Sequence, residues 1–124
     1  MPVSAEYKEF LQELFEPLGR IKTKSMFGVD GVFMKLPDGD LMFGLIADET
    51  LYLKVDDTTR ADFEAEDKRP FVYESKNGKQ DVASYYELPE ALYDEPDVFS
   101  DWARKAFDVA LRAKKPKKKR KNKS

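Results

Sequence analysis

The 124-residue chain carries 22 Lys/Arg and 24 Asp/Glu and contains neither histidine nor cysteine. That composition excludes disulfides, Cys/His zinc sites, cysteine nucleophiles and histidine-based acid–base catalysis. The charge is also split along the chain. Up to Leu111 there are 13 Lys/Arg against 24 Asp/Glu, whereas Arg112 to Ser124 holds nine basic residues and no acid.

The length suits one domain, predicted over 1–113, followed by a polybasic tail over 114–124. A body of about 110 residues buries roughly two-thirds of its unfolded-state surface, enough for a core without staples. No run approaches the roughly 18 apolar residues of a membrane span. The start, Met1-Pro2-Val3-Ser4, leads into a polar sequence without a positive n-region. A cytoplasmic protein with no membrane association is expected.

Tyr7, Phe10, Leu11, Leu14, Phe15 and Leu18 recur at helical spacing, with Ser4 as N-cap and Pro17 and Gly19 as the stop. Ile21 to Met26 alternates as an edge strand does. Val32 to Leu36 and Leu41 to Ala47 flank the reversal Pro37-Asp38-Gly39-Asp40, and a turn at Asp48-Glu49-Thr50 leads into Leu51 to Val55. Asp57 or Thr58 caps a short helix to about Glu66, which offers Ala61, Phe63 and Ala65 to the core and is ended by Pro70. Phe71 to Glu74 and Val82 to Leu88 pair across Lys76-Asn77-Gly78-Lys79. Pro89 breaks the pattern. Asp97 caps a last helix whose apolar face is Phe99, Trp102, Ala103, Ala106, Phe107 and Ala110. The predicted class is α+β, with an antiparallel sheet of five to six strands in the order α-β3/4-α-β2-α. Helices at both ends and one between cannot cover two faces, so two layers are expected. Pro116 stops the last helix, and the lysines beyond it have nothing to bury, so a disordered tail is predicted.

Several short motifs stand in order: Ser25-Met26-Phe27-Gly28, Asp30-Gly31-Val32-Phe33, Phe43-Gly44-Leu45-Ile46, Leu51-Tyr52-Leu53-Lys54, Pro70-Phe71-Val72-Tyr73, Ser84-Tyr85-Tyr86-Glu87-Leu88-Pro89 and Trp102-Ala103-Arg104. From Tyr7 to Leu111 the chain resembles the TfoX amino-terminal domain family of bacterial TfoX/Sxy-type competence regulators. The resemblance implies a secretion-chaperone-like α+β fold. It also implies a regulatory role, since two-domain members are associated with switching on DNA-uptake genes. This chain differs in having Val29 where a second glycine is common, and a lysine tail where the second domain stands.

Each constellation has two readings. Met26, Phe27, Gly28 and Gly31 form either a ligand-binding loop or a strand-to-strand turn with glycines at positive φ; the absence of a following Gly-Lys-Ser/Thr favours the turn. Tyr85 and Tyr86, with Phe71 and Tyr73, form either a stacking platform for unpaired bases or ordinary packing. Strand alternation sends one tyrosine of the pair inward and the other outward, and Asp81, Glu87 and Glu90 would repel phosphate, so packing is favoured. Pro89 and Trp102 read as structural. Asp94, Glu95, Asp97 and Asp101 suit capping and the helix dipole better than a cation site. No metal, cofactor or catalytic site is predicted. The remaining candidates are Lys114, Lys115, Lys117, Lys118, Lys119, Arg120, Lys121 and Lys123, for sequence-blind contact with nucleic acid or an acidic partner. The competing readings are a nuclear import signal, for which bacteria have no reader, and a solvated tail that touches its own acidic body. A protein partner or self-association through the edge strand at Ile21 to Met26 is the alternative function.

Overall fold

The computed structural model describes residues 5–26 and 29–114. Helix α1 (Ala5–Phe15) is followed by β1 (Ile21–Met26), β2 (Val29–Leu36), β3 (Gly39–Ala47) and β4 (Thr50–Lys54). Helix α2 (Arg60–Ala65), β5 (Pro70–Ser75), β6 (Gly78–Glu87), a 3₁₀ turn (Glu90–Asp94) and helix α3 (Pro96–Ala113) complete the described chain. The six strands form one antiparallel sheet in the order β1-β2-β3-β4-β6-β5. The last hairpin therefore inserts its second strand beside β4 and leaves β5 at the edge.

Packing explains the elements. Leu11, Leu14 and Phe15 bury the stripe of α1, and Phe99, Ala103, Ala106 and Ala110 bury that of α3. Phe15 meets Phe43 and Phe99 edge-on at centroid distances of 5.5 and 5.0 Å, which joins both helices to β3. Phe63 of α2 packs edge-on against Trp102 at 4.7 Å and lies beside Tyr86 of β6. All three helices thus lie on one face of the sheet, giving the expected two layers.

Several local expectations are corrected. The first helix ends at Phe15, two residues before Pro17, with Gly19 at φ +141° and its N–H on the Phe15 carbonyl. Phe10 is exposed, and Ser4 lies outside the described residues. Helix α2 starts after Thr59, because Asp56 rather than Asp57 or Thr58 organises its approach. The Asp56 carboxylate accepts the Thr58 N–H at 2.9 Å, while the Thr59 hydroxyl accepts the Asp56 N–H at 3.2 Å. Only Phe63 of α2 is buried; Ala61 and Ala65 face solvent. Asp67 at φ 61° ends the helix, with the Lys68 N–H on the Phe63 carbonyl, and Pro70 instead opens the edge strand. Helix α3 begins with Pro96 at its first turn, so Asp97 complements the dipole there and makes no side-chain cap.

The β2–β3 register shifts between Val32 and Phe33: Val32 faces Gly44, but Phe33 faces Met42. Phe43 is the extra residue of this bulge, and it sits fully buried in the core. Gly44 beside it is hemmed in, since a Cβ there would lie 3.0 Å from the Tyr52 carbonyl oxygen.

Candidate functional site

Helix α3 delivers the start of the basic segment to the acidic body. Its last turn carries Arg112, whose guanidinium donates to Asp56 Oδ2 at 2.9 Å and to the Thr58 hydroxyl at 3.2 Å. Lys114, the C-cap, pairs with Asp38 at the tip of the β2–β3 hairpin. Arg112 and Lys114 are therefore held by two carboxylates from different turns. Lys115, Lys117, Lys118, Lys119, Arg120, Lys121 and Lys123, and with them the expectation of a disordered tail, lie outside the described residues.

The other sequence candidates separate. Met26 ends β1 opposite Val29, while Phe27 and Gly28 lie outside the described residues. Gly31 is inside β2, buried between Lys24 and Leu45, and not in the turn as expected. Pro89 is buried and precedes the 3₁₀ turn, and Trp102 is half-buried against Phe63. Tyr86 enters the core and donates its hydroxyl to Glu64 at 2.9 Å. Tyr85 is on the opposite face, as alternation requires, yet only 9% exposed. Burial pushes its phenol up to about 12, and Lys54 Nζ stands 5.0 Å above its ring.

Sequence reasoning missed the face of the sheet that no described helix covers, its uncovered face. Phe33, Met42, Leu45, Tyr52 and Tyr85 are absent from the core cluster that the helices cover. Pairing puts Lys22 opposite Phe33, Lys24 opposite Gly31, and Lys54 opposite Tyr85 on that face. Tyr52 meets Phe71 edge-on at 5.2 Å, which assigns Phe71, and by alternation Tyr73, to the same side. Asp81, paired with Val72, falls on the other side. The missed signal was the spacing of Lys22, Lys24 and Lys35, which shares a face with Phe33 only once the hairpin register is known.

Two clefts lie among the described residues. One, of about 480 Å³, is lined by Gln12, Glu13, Glu16, Gly19 and Arg20; the Gln12 amide is engaged with both backbone groups of Ile21. The other, of about 240 Å³, lies between α2 and α3 and includes Asp62, Lys105, Asp108 and Arg112. Among the described residues, no three carboxylates gather as a metal site would require. No described helix is long and apolar enough to cross a membrane.

The model of the TfoX N-terminal domain matches residues 13–110, most of the chain and nearly all of the folded body. The chain belongs to the TfoX N-terminal domain family. The match spans the sheet, α2 and most of α3, so both faces of this TfoX N-terminal domain are family structure. A search of curated proteins found no match. At the family level, the TfoX N-terminal domain is a competence-related regulatory domain.

Proposed function

We propose that this TfoX N-terminal domain is a non-catalytic, cytoplasmic regulatory module that holds nucleic acid through its basic tail. The observation that carries this reading is the charge division: a body of net −11 up to Leu111, then nine cations without an acid. An acidic helix layer repels phosphate, so a polyanion is met by the tail, where each phosphate contact steepens the salt dependence. The attachment of Arg112 and Lys114 to Asp56 and Asp38 supports the reading by fixing the start of the basic segment at one end of the sheet. The lack of histidine and cysteine supports a binding rather than a catalytic role.

The test compares the full chain with one ending at Ala113, which keeps every buried core residue of the described body. Anisotropy titrations against duplex DNA at two salt concentrations should show salt-sensitive binding by the full chain and little by the shorter one. Equal binding by both would remove the tail from the function.

A second reading, a protein-binding or self-associating module, is favoured by one observation. Strand β5 is a sheet edge with Val72 44% and Tyr73 38% exposed. Strand β1, the edge expected to take a partner, is instead guarded by exposed Lys22 and Lys24. Light scattering combined with nuclease-treated pull-downs separates the readings, because only nucleic-acid-dependent partners are lost to nuclease.

A further inference from the structure

The carboxylates of the body are not evenly spread. Most lie on the helices and turns, whereas the uncovered sheet face carries Lys22, Lys24, Lys35 and Lys54 against Asp40 and Glu87 from its strands. An acidic domain thus has one cationic face. Lys22 is paired with Asp40 at 3.1 Å, but Lys24 and Lys35 are exposed.

Aromatic rings occupy the same face. Phe33, Tyr52 and Phe71 are half-buried and Tyr73 is exposed, while Tyr85 forms a floor beneath Lys54. Neighbouring strands are spaced about 4.8 Å apart, so rings on β2, β4 and β5 lie at distances that successive splayed bases can reach. Of the acids that the sequence sets near Tyr85, Asp81 projects to the other side and Glu90 belongs to the 3₁₀ turn in the helix layer. Of these three acids Glu87 remains on the aromatic face, opposite Tyr52, whose phenol also feels Asp48 from the β3–β4 turn.

The tail begins at the same end of the sheet. Lys114 holds Asp38 at the hairpin tip, three residues beyond Lys35. A polyanion on the tail can continue around this hairpin onto the lysines of the face without crossing the acidic helices.

We propose that the uncovered sheet face binds single-stranded nucleic acid, stacking bases on Phe33, Tyr52 and Phe71 and holding phosphates with Lys24, Lys35 and Lys54. This deepens the nucleic-acid reading of the tail: the tail supplies sequence-blind attraction, and the sheet distinguishes a single strand from a duplex, whose stacked bases cannot reach the rings.

The test uses the full chain with labelled oligothymidine of about twelve nucleotides and a duplex of equal length, in anisotropy titrations at two salt concentrations. The wild type should bind the single strand more tightly than the duplex. Lys24→Glu with Lys35→Glu should weaken single-strand binding roughly tenfold and flatten its salt slope by about 0.7 per lysine. Tyr52→Ala should weaken it by a similar factor through lost stacking. Tyr52→Ala should leave duplex binding unchanged, and the lysine variant should weaken duplex binding far less than single-strand binding. The lysine variant alters only exposed side chains, so it keeps the test valid should Tyr52→Ala unfold. A third variant, with Lys117, Lys118, Lys119, Arg120, Lys121 and Lys123 changed to Ser, should lose duplex binding and retain the single-strand preference. No single-strand preference in the wild type, or face variants that bind as the wild type does, would overturn the proposal. Loss of all binding in the tail variant would likewise overturn it, leaving the tail reading intact. Undiminished duplex binding in the tail variant would refute the tail reading alone. A face variant that dissociates a dimer in light scattering would assign the face to a second copy of the chain and overturn the proposal.

Discussion

Asp56 connects three parts of the molecule through one carboxylate. Its Oδ1 accepts the Thr58 hydroxyl at 2.6 Å and the Thr58 N–H at 2.9 Å, and its Oδ2 accepts from Arg112. The Thr58 hydroxyl, then the Arg112 guanidinium, draws its pKa from 3.8 down to about 2. Between those values the folded chain binds fewer protons than the unfolded chain, so stability rises with pH. The contribution is complete above about pH 4 and is lost as pH falls towards 2. Urea unfolding measured from pH 2 to 6 should show this loss, and Asp56→Asn should flatten the curve within that window. An unchanged curve would place the titration elsewhere. Gly44 makes a second prediction at this scale. With the Tyr52 carbonyl oxygen 3.0 Å from where a Cβ would stand, Gly44→Ala must displace backbone. It should destabilise the fold by about 1–3 kcal/mol in chemical denaturation. Neither role was legible in the sequence. Asp56 competes with Asp57 and Thr58 for the same capping pattern, and only the turn geometry chooses between them.

Among the elements, the β3–β4 hairpin closes through Asp48 and Glu49 at φ 52° and 56°, with Ala47 opposite Thr50. Two successive left-handed residues make a tight turn that suits the twist of a hairpin but disfavours side chains. Glu49→Gly should therefore stabilise the domain by about 0.4–1 kcal/mol, read as a raised urea midpoint at unchanged slope. Helix α3 tests the opposite sign. Phe99 is fully buried against Phe15, and Phe99→Ala should cost about 3–5 kcal/mol, or abolish a cooperative melt. The helices were legible because their apolar stripes are long; each residue expected on the α3 face packs in the core or against it. The strand order was not. Strand β6 reaches β4 through pairs such as Leu53 with Tyr86, and the Leu88 N–H reaches the Leu51 carbonyl. Such pairing joins residues more than thirty positions apart and leaves no local pattern.

At the scale of the whole molecule, charge and layering divide the surface. The sequence showed the division along the chain, because the acids stop before Arg112. It did not show the division between the two sides of the sheet. Phe43 to Ala47 reads as a continuous apolar run, and only the pairing reveals that Leu45 turns away from the helices. The attachment of the tail to the body gives a prediction here. The Lys114–Asp38 pair is partly exposed, and such pairs contribute about 0–1 kcal/mol. Asp38→Asn should shift the unfolding free energy by less than about 1 kcal/mol. It should also tighten full-length binding to duplex DNA, because Lys114 is released and a repelling carboxylate is gone. Weaker binding in that variant would show that the attachment itself orients the tail.

The bulge at Phe43 has a consequence for how the domain tolerates changes in length. It puts the two halves of β3 half a pleat out of phase, so Leu41 and Ile46 both reach the interior although five positions separate them. Removing Phe43 would restore an even alternation and leave Leu45 outward and Ile46 inward, at the loss of a fully buried ring. Adding a residue within the strand would instead set one half of it against its faces. Lengthening the exposed tips at Pro37-Asp38 or Lys76-Asn77 would leave that phase untouched. Insertions are thus admissible at the hairpin tips, whereas the strand that carries both faces can give up its one extra residue but cannot accept another.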